Sequence, residues 1–349
     1  MNKKIQDKKR KTRDESESES EIESDDSDKG VIPDSDSDEE NYDDSDDGSD
    51  FNEITAEFEI NPCVESDYHS IKNMISRLVP YNETINFSAG AITNLILEQS
   101  KKLKFGRSIR VEGVDDPYGF LSVFNYNSVK DNESIEGLTE FMKIKSKSAE
   151  TSFVDTKTHG GDSTFLSVLT NLLSKSKAQP LGYVFNERFL NVPNDLVYPL
   201  HQYIQYDIEL LTENDPTYNF KNYLFLTTFG ITTKPNETEQ PQPQPTETTN
   251  KSKTKKSKHT ISEDQPQQQP QQQNDQLPEG LEIYQKVEDK YIKKHSSAWL
   301  TFNIPYEYGE GSRWTLNGHL NYKGLIMILP SSKVPNLLKD LQEKAILDD

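Results

Sequence analysis

Two stretches of this chain have almost nothing to bury, and they decide how the rest can fold. Residues 14–50, which include DESESESEIESDDSDKG and DSDSDEENYDDSDDGSD, hold nineteen acidic residues against one lysine. Like charges at that density repel, and no apolar surface offsets the entropy of ordering the backbone, so residues 1–51 read as a disordered tail, basic first and acidic after. Residues 233–279 hold PQPQP, QPQQQPQQQ and the basic run KSKTKKSKH. Pro, Gln and Lys in such proportion make an extended surface insertion. A single α/β domain is then left to assemble from residues 52–232 and 280–349. The low hydrophobic share of 32% reflects dilution by the two polar stretches.

Within those two pieces, hydrophobic periodicity sets out the elements. ITAEFEI (54–60), RSIRVEG (107–113), YGFLSVFNY (118–126), PLGYVFN (180–186), NYLFLTTFG (222–230), SAWLTFNI (297–304) and GLIMILP (324–330) read as strands. SDYHSIKNMISRLV (66–79) places Ile71, Ile75, Leu78 and Val79 on one helical face, with Ser66 as N-cap. SAGAITNLILEQSKKL (88–103) does the same with Ile92, Leu95, Ile96 and Gln99, and a further helix covers 133–147. DSTFLSVLTNLLSKSK (162–177) turns Phe165, Leu166, Leu169, Leu172 and Leu173 inward. NDLVYPLHQYIQYDIELL (194–211) reads as a helix capped by Asn194 or Asp195 and bent at Pro199, and SKVPNLLKDLQEKA (332–345) as the last one. Adjacent strands in some places and helix-spaced strands in others predict a mixed α/β (α+β) fold, a central mixed sheet with helices on both faces. The order at 180–211 is half of a βαβ unit.

A lone cysteine, Cys63, excludes an intramolecular disulfide and a multi-cysteine zinc knuckle, and fits a reducing compartment. No apolar run approaches the roughly 18 residues that span a bilayer. The N-terminus is charged but has no apolar h-region, so no secretory signal is expected.

DPYGFLSVFN, PLGYVFNERFLNVPNDLVYPLHQYIQYDI, NYLFLTTF and GLIMILPSSKVPNLLKDL resemble the BCCIP family, named for proteins that interact with a breast-cancer susceptibility protein and a cyclin-dependent kinase inhibitor. The likeness covers roughly 53–232 and 280–347, and NERFLNVP is its most specific piece. The acidic tail and the charged insertion match the family's layout, whereas the Pro/Gln filler carries no family information. The resemblance implies a folded part like the acetyltransferase sheet of the GNAT superfamily, without established acetyl transfer. It also implies a nuclear adaptor or escort. The expected roles are chaperoning a large-subunit ribosomal protein, supporting nuclear export of a lipid kinase, and cell-cycle control.

Motifs for chemistry are sparse. A GNAT acetyl-CoA loop needs R/Q-x-x-G-x-G/A between strand and helix, where backbone N–H groups hold a pyrophosphate. The nearest copies are YEYGEG (306–311), with Tyr306 at the Arg/Gln position, and THGGD (158–162), with two adjacent glycines and no strand expected before it. Both read as turns, and no cofactor is expected. The six histidines, His69, His159, His201, His259, His295 and His319, show no metal-ligand spacing. Cys63 has no histidine partner nearby in sequence and reads as an inert thiol. In FNERFLNVP, Glu187 and Arg188 suggest an acid and an anion clamp. The simpler reading has Arg188 fix the corner through a bidentate carboxylate contact while Phe189, Leu190 and Val192 dock on the core, and Pro193 and Asn194 open the next helix. Asn186, Glu187, Arg188, Phe189 and Asn191 are then candidates for a structured partner-binding loop.

The tails carry the remaining signals. KKRKTR (8–13), with Lys8, Lys9, Arg10, Lys11 and Arg13, and KSKTKKSK (251–258), with Lys255 and Lys256, are basic clusters of the kind read by nuclear transport receptors. Direct nucleic-acid binding is not expected, because the neighbouring acidic run competes with phosphate for the same lysines. That run reads as a polyanion that shields a basic client. Ser16, Ser18, Ser20, Ser35 and Ser37 each have an acidic residue three positions on, the context of acid-directed kinases. Taken with the roles that the resemblance implies, these signals point to a non-enzymatic nuclear escort that shuttles to the cytoplasm and takes part in ribosome biogenesis. The alternatives are an acetyltransferase-like enzyme with a degenerate cofactor loop, or a transport adaptor for a phosphoinositide kinase.

Overall fold

Strand β3 (Gly119–Asn125, GFLSVFN) is buried at every position. Continuous apolar runs of this kind are what a strand covered on both faces requires. The same holds for most of β5 (Leu181–Arg188), β6 (Asn222–Thr232) and β9 (Leu320–Pro330). These four form the middle of a sheet in a computed structural model that describes residues 57–78, 85–233, 278–304 and 320–345. β1 (Phe58–Pro62), β2 (Arg107–Val111), β4 (Thr151–Val154), β7 (Glu282–Tyr284) and β8 (Ala298–Asn303) complete it in the order β1-β2-β3-β5-β6-β9-β8-β4, with β7 on β6. All neighbours are antiparallel except β5 and β6, which run parallel with Leu181 beside Asn222. A helix, α7 (Val197–Asn214), crosses between those two, so the expected βαβ unit is present.

The two-residue period of the strands sorts side chains into two cores. Phe120, Phe124, Tyr183, Phe185, Leu224, Leu226, Ile326 and Ile328 face one side. That side is covered by α1 (Tyr68–Ile75), α2 (Ala89–Leu103), α4 (Glu133–Lys147) and α6 (Phe165–Ser174). Leu121, Val123, Val184, Tyr223, Phe225, Leu325, Met327 and Leu329 face the other, under α7, α8 (Val287–His295) and α9 (Val334–Lys344). On α7 the stripe Val197, Leu200, Ile204 and Ile208 is buried, each side chain contributing about 1.5–3 kcal/mol. Two short helices, α3 (Tyr126–Val129) and α5 (Thr156–His159), link strands to the longer helices. Helices therefore lie on both faces of a mixed, mostly antiparallel sheet. In the middle of it, β9 carries Gly324 opposite Phe302, whose ring lies 2.0 Å from where a Cβ would sit.

The ends of the insertion meet at one residue. Thr232 N donates to Leu281 O (3.0 Å), Gly280 N donates to Thr232 O (2.9 Å), and Leu281 N donates to Thr232 Oγ1 (2.9 Å). The chain thus leaves and re-enters the described body at the end of β6.

Several local expectations differ from the structure. Ser66 lies inside a 3-10 turn, Glu65–Asp67, and the Asp67 carboxylate accepts from Val64 N (2.9 Å) at the start of that turn. Neither Asn194 nor Asp195 caps α7. They lie in a 3-10 turn, Asn194–Leu196, whose N-cap position is Pro193. Pro199 falls in the first turn of α7, where an N–H has no helical partner to lose, so no bend is needed. THGGD does follow a strand, β4, and α8 was hidden in a segment with few apolar residues. The acidic tail, the basic clusters, YEYGEG and Val79 lie outside the described residues.

Candidate functional site

The segment NERFLNVP forms the corner where β5 ends and the chain turns into α7. β5 holds Asn186, Glu187 and Arg188 opposite Leu121, Phe120 and Gly119 of β3. Gly119 is required there, since a Cβ would sit 2.7 Å from the Arg188 Cβ. The corner meets the first turn of α8, which brings Lys286, Glu288 and Asp289. Two acids in that turn suit the positive end of the helix dipole.

Arg188 Nη2 donates to Glu288 Oε2 (2.9 Å) and to Asn194 Oδ1 (3.0 Å). Asn186 Nδ2 donates to the other Glu288 oxygen (2.9 Å). Lys286 Nζ donates to the Asn186 carbonyl (2.7 Å) and to Glu187 Oε1 (2.6 Å), and stands 3.7 Å from Asp289 Oδ2. Thr227 of β6 donates to Asp289 Oδ2 (2.7 Å). Two strands, β5 and β6, the 3-10 turn at Asn194 and the start of α8 are joined by one network whose ionised side chains are 1–12% exposed.

Lys286 and Arg188, with Arg77 also acting on Glu187, face three carboxylates in a dry place, where each charge is costly unless paired. Burial pushes the Glu187 carboxyl up, against the pull of Lys286. Burial also raises Asp289, to about 6, with Lys286 opposing and Glu288 adding. Burial acts on Glu288 in the same direction, but Arg188, His201, Asn186 and Lys286 together outweigh it and hold its carboxyl below the usual range. Lys286 is destabilised by burial yet raised on balance by Asp289 and Glu187. His201, half-buried behind the network, is pushed toward its neutral form by desolvation. Asp289 therefore takes up a proton as pH falls to about 6. A substrate could reach these groups only by displacing their contacts with one another, so the arrangement acts as a frame.

The candidate loop residues thus divide. The Asn186 and Arg188 side chains are committed to the network, and Glu187 to Lys286. Phe189 packs edge-on against Tyr118 (6.2 Å) and under the Arg77 guanidinium (5.3 Å). Asn191 is exposed. Leu190 does not dock as expected and is 59% exposed, whereas Val192 is buried. The Arg188 contact is shared between Glu288 and Asn194, not bidentate to one carboxylate.

Among the other candidates, Cys63 is buried and its thiol is pushed up by burial and by Asp67. The start of α6, beyond THGGD, is satisfied by Thr164 and Ser167, which accept each other's backbone N–H. His159 pairs with Ser297 (2.9 Å) and His295 with Asp340 (2.8 Å). No group of three His, Cys, Asp or Glu that could hold a metal occurs among the described residues. Lys8, Lys9, Arg10, Lys11, Arg13, Lys255, Lys256 and the serines at 16, 18, 20, 35 and 37 lie outside them. Lys286, Glu288, Asp289 and His201 were not found from the sequence. The available signal was Val287, Tyr291 and Ile292 at helical spacing with acids in the first turn, in a helix rich enough in lysine to hide it.

A family model described as BCCIP matches residues 53–292. Protein bcp1 of Aspergillus fumigatus is 31% identical over 50% of this chain, and the alignment spans about half of that relative's length, 54%. The BRCA2 and CDKN1A-interacting protein of Bos taurus is 25% identical over 83% of each chain. The crystal structure of BCP1 from Saccharomyces cerevisiae aligns over 87% of this chain and 96% of its own, with 16% identity and a TM-score of 0.48.

Proposed function

The chain belongs to the BCCIP family, and from that premise we propose that it is a non-enzymatic nuclear adaptor that escorts a basic client, a protein of the large ribosomal subunit, on its way into ribosome assembly. The folded body recognises the client, and the acidic tail keeps the client's positive charge screened until handover. A bovine relative is named for its interactions with other proteins, which agrees with an adaptor role.

The observation that carries this reading is the division of charge along the chain. Nineteen acidic residues and one lysine lie within 14–50, beside seven basic residues within 1–13. Such a polyanion attracts cationic surface without shape selectivity and competes with nucleic acid for it. Supporting it, Glu187, Arg188 and Cys63, the residues best suited to chemistry, serve the interior of the fold. The basic clusters at 8–13 and 251–258 serve nuclear import, and phosphorylation of Ser16, Ser18, Ser20, Ser35 and Ser37 deepens the tail's charge. Shuttling with a lipid kinase and a GNAT-like ancestry of the sheet belong to the same reading.

Affinity purification from nuclear extract at low and high salt tests it. A basic ribosomal protein should co-purify specifically, and its recovery should fall with salt. Recovery of no basic protein at either salt would remove the proposal. An acetyl-CoA titration followed by thermal shift separates the enzyme reading, because a functioning site stabilises the fold in proportion to ligand.

A further inference from the structure

At the other end of α8 an open groove of about 340 Å³ lies between that helix and β4, the last strand of the sheet. Its floor is aromatic. Phe153 of β4 stacks on Trp299 of β8 (6.1 Å between centroids, 25° between planes) and is 44% exposed. Tyr284 of β7, stacked on Phe229 at 5.3 Å, closes the far side. Its wall is cationic: Lys290, Lys293 and Lys294 line it against a single acid, Glu282.

The lysines differ in role. Lys293 is fixed, 2.7 Å from Glu282 and 4.5 Å from the Trp299 ring centre. Lys294 touches Asp340 (2.7 Å) yet stays 56% exposed, and Lys290 is exposed at the rim. Lysines in the last turn of a helix complement its dipole, which accounts for Lys293 and Lys294. It does not account for an exposed Phe stacked on a Trp beside an open strand. Among the described residues, the outer edge of β4 carries no strand. Asp155 N donates to Ser297 O (2.8 Å), and antiparallel alternation then turns the backbone of Ser152 away from β8.

We propose that this groove docks an extended acidic segment of a partner protein. The segment adds to the edge of β4, its carboxylates meet Lys290 and Lys294, and an apolar side chain packs on Phe153. Single-stranded nucleic acid also favours lysines with aromatic rings. The strand edge decides for a peptide, since its N–H and C=O groups pair with another backbone.

The test is fluorescence anisotropy of a short labelled peptide alternating Glu and Val with one central Phe, titrated with the full-length protein. Saturable, salt-sensitive binding is expected. Lys290→Glu with Lys294→Glu should weaken it about tenfold or more. Ser152→Pro, which blocks pairing only at the outer edge, should weaken it by a similar factor while leaving the circular dichroism unchanged. The proposal is overturned by absence of binding, by equal binding of both variants, or by equal binding of a Lys/Val peptide. Tighter binding of oligouridylate would make the groove a nucleic-acid site instead. If a full-length chain with Asn and Gln in place of the acids of 34–50 bound the peptide about tenfold more tightly, the chain's own tail would be the occupant, and the proposal would fall.

Discussion

Arg188 and Glu288 meet inside the protein, with Nη2 2.9 Å from Oε2 and side chains 3% and 1% exposed, although one hundred residues of chain separate them. The whole Pro/Gln/Lys-rich insertion lies between these two positions. Their contact fastens the first turn of α8, which follows the insertion, to the end of β5, which precedes it. A buried pair of this kind need not add stability relative to apolar residues, but breaking one partner strands a charge.

Arg188→Met should therefore destabilise the fold by about 3–5 kcal/mol, because Glu288 loses its main counter-charge in a dry site. Arg188→Met with Glu288→Leu should recover a large part of that loss. Urea unfolding of the two single variants and the double variant closes the cycle. Additive effects would mean the two side chains do not depend on each other.

Asp289 gives the network a pH dependence of definite sign. Its folded pKa is about 6 against an ordinary 3.8, raised by burial and the neighbouring Glu288 despite Lys286. A raised carboxyl favours the protonated native state. The stability it contributes is fully present below about pH 4 and is lost as pH rises through 6, a change of about 3 kcal/mol. Asp289→Asn keeps an oxygen for Thr227 and stays neutral. It should match the wild type near pH 4 and exceed it at pH 7.5 in chemical denaturation. A constant difference across that range would show that Asp289 does not titrate where its surroundings place it.

How much of this was legible in the sequence follows from what each element faces. β3, β5, β6 and β9 are buried on both faces and announce themselves as unbroken apolar runs, and α4 was read to its residue bounds. β4 could not be read, since Thr151, Ser152 and Phe153 are exposed at a sheet edge and carry no alternating pattern. α8 was missed because its buried surface is partly charged: Glu288 and Asp289 are as hidden as Val287 and Ile292. Sequence periodicity counts such acids as solvent-facing. The sequence predicts that Arg188 fixes the corner through a bidentate carboxylate contact; the structure instead shares it between Asn194 and Glu288, and Glu288 lies one hundred positions away, beyond any local rule.

Shortening the insertion should leave the fold almost untouched. Thr232, Gly280 and Leu281 already hold its ends together through three hydrogen bonds. Closing a flexible loop costs free energy only as the logarithm of its length, about 0.6 kcal/mol per doubling. Replacing residues 236–276 by a short Gly/Ser linker should therefore change the unfolding free energy by no more than about 1–2 kcal/mol, in the stabilising direction. A large loss on denaturant titration would mean that the segment packs on the body and is not a mere excursion.

Deleting residues 14–50 separates the tail's task from that of the body. In the proposed escort role the tail acts through charge at a distance, and at about 0.1 M salt such attraction fades over about 10 Å. Its contribution to client binding must then be largest at low salt, whereas shape recognition by the folded body persists. The shortened chain should hold a basic ribosomal protein several-fold more weakly at low salt, and equally well at high salt. Its preference among basic proteins should be unchanged. Pull-down of a purified ribosomal protein beside an unrelated basic protein, at two ionic strengths, reads out all three quantities. Equal capture with and without the tail at low salt would take the polyanion out of the mechanism. Loss of the preference itself would move recognition from the sheet and its helices to the tail.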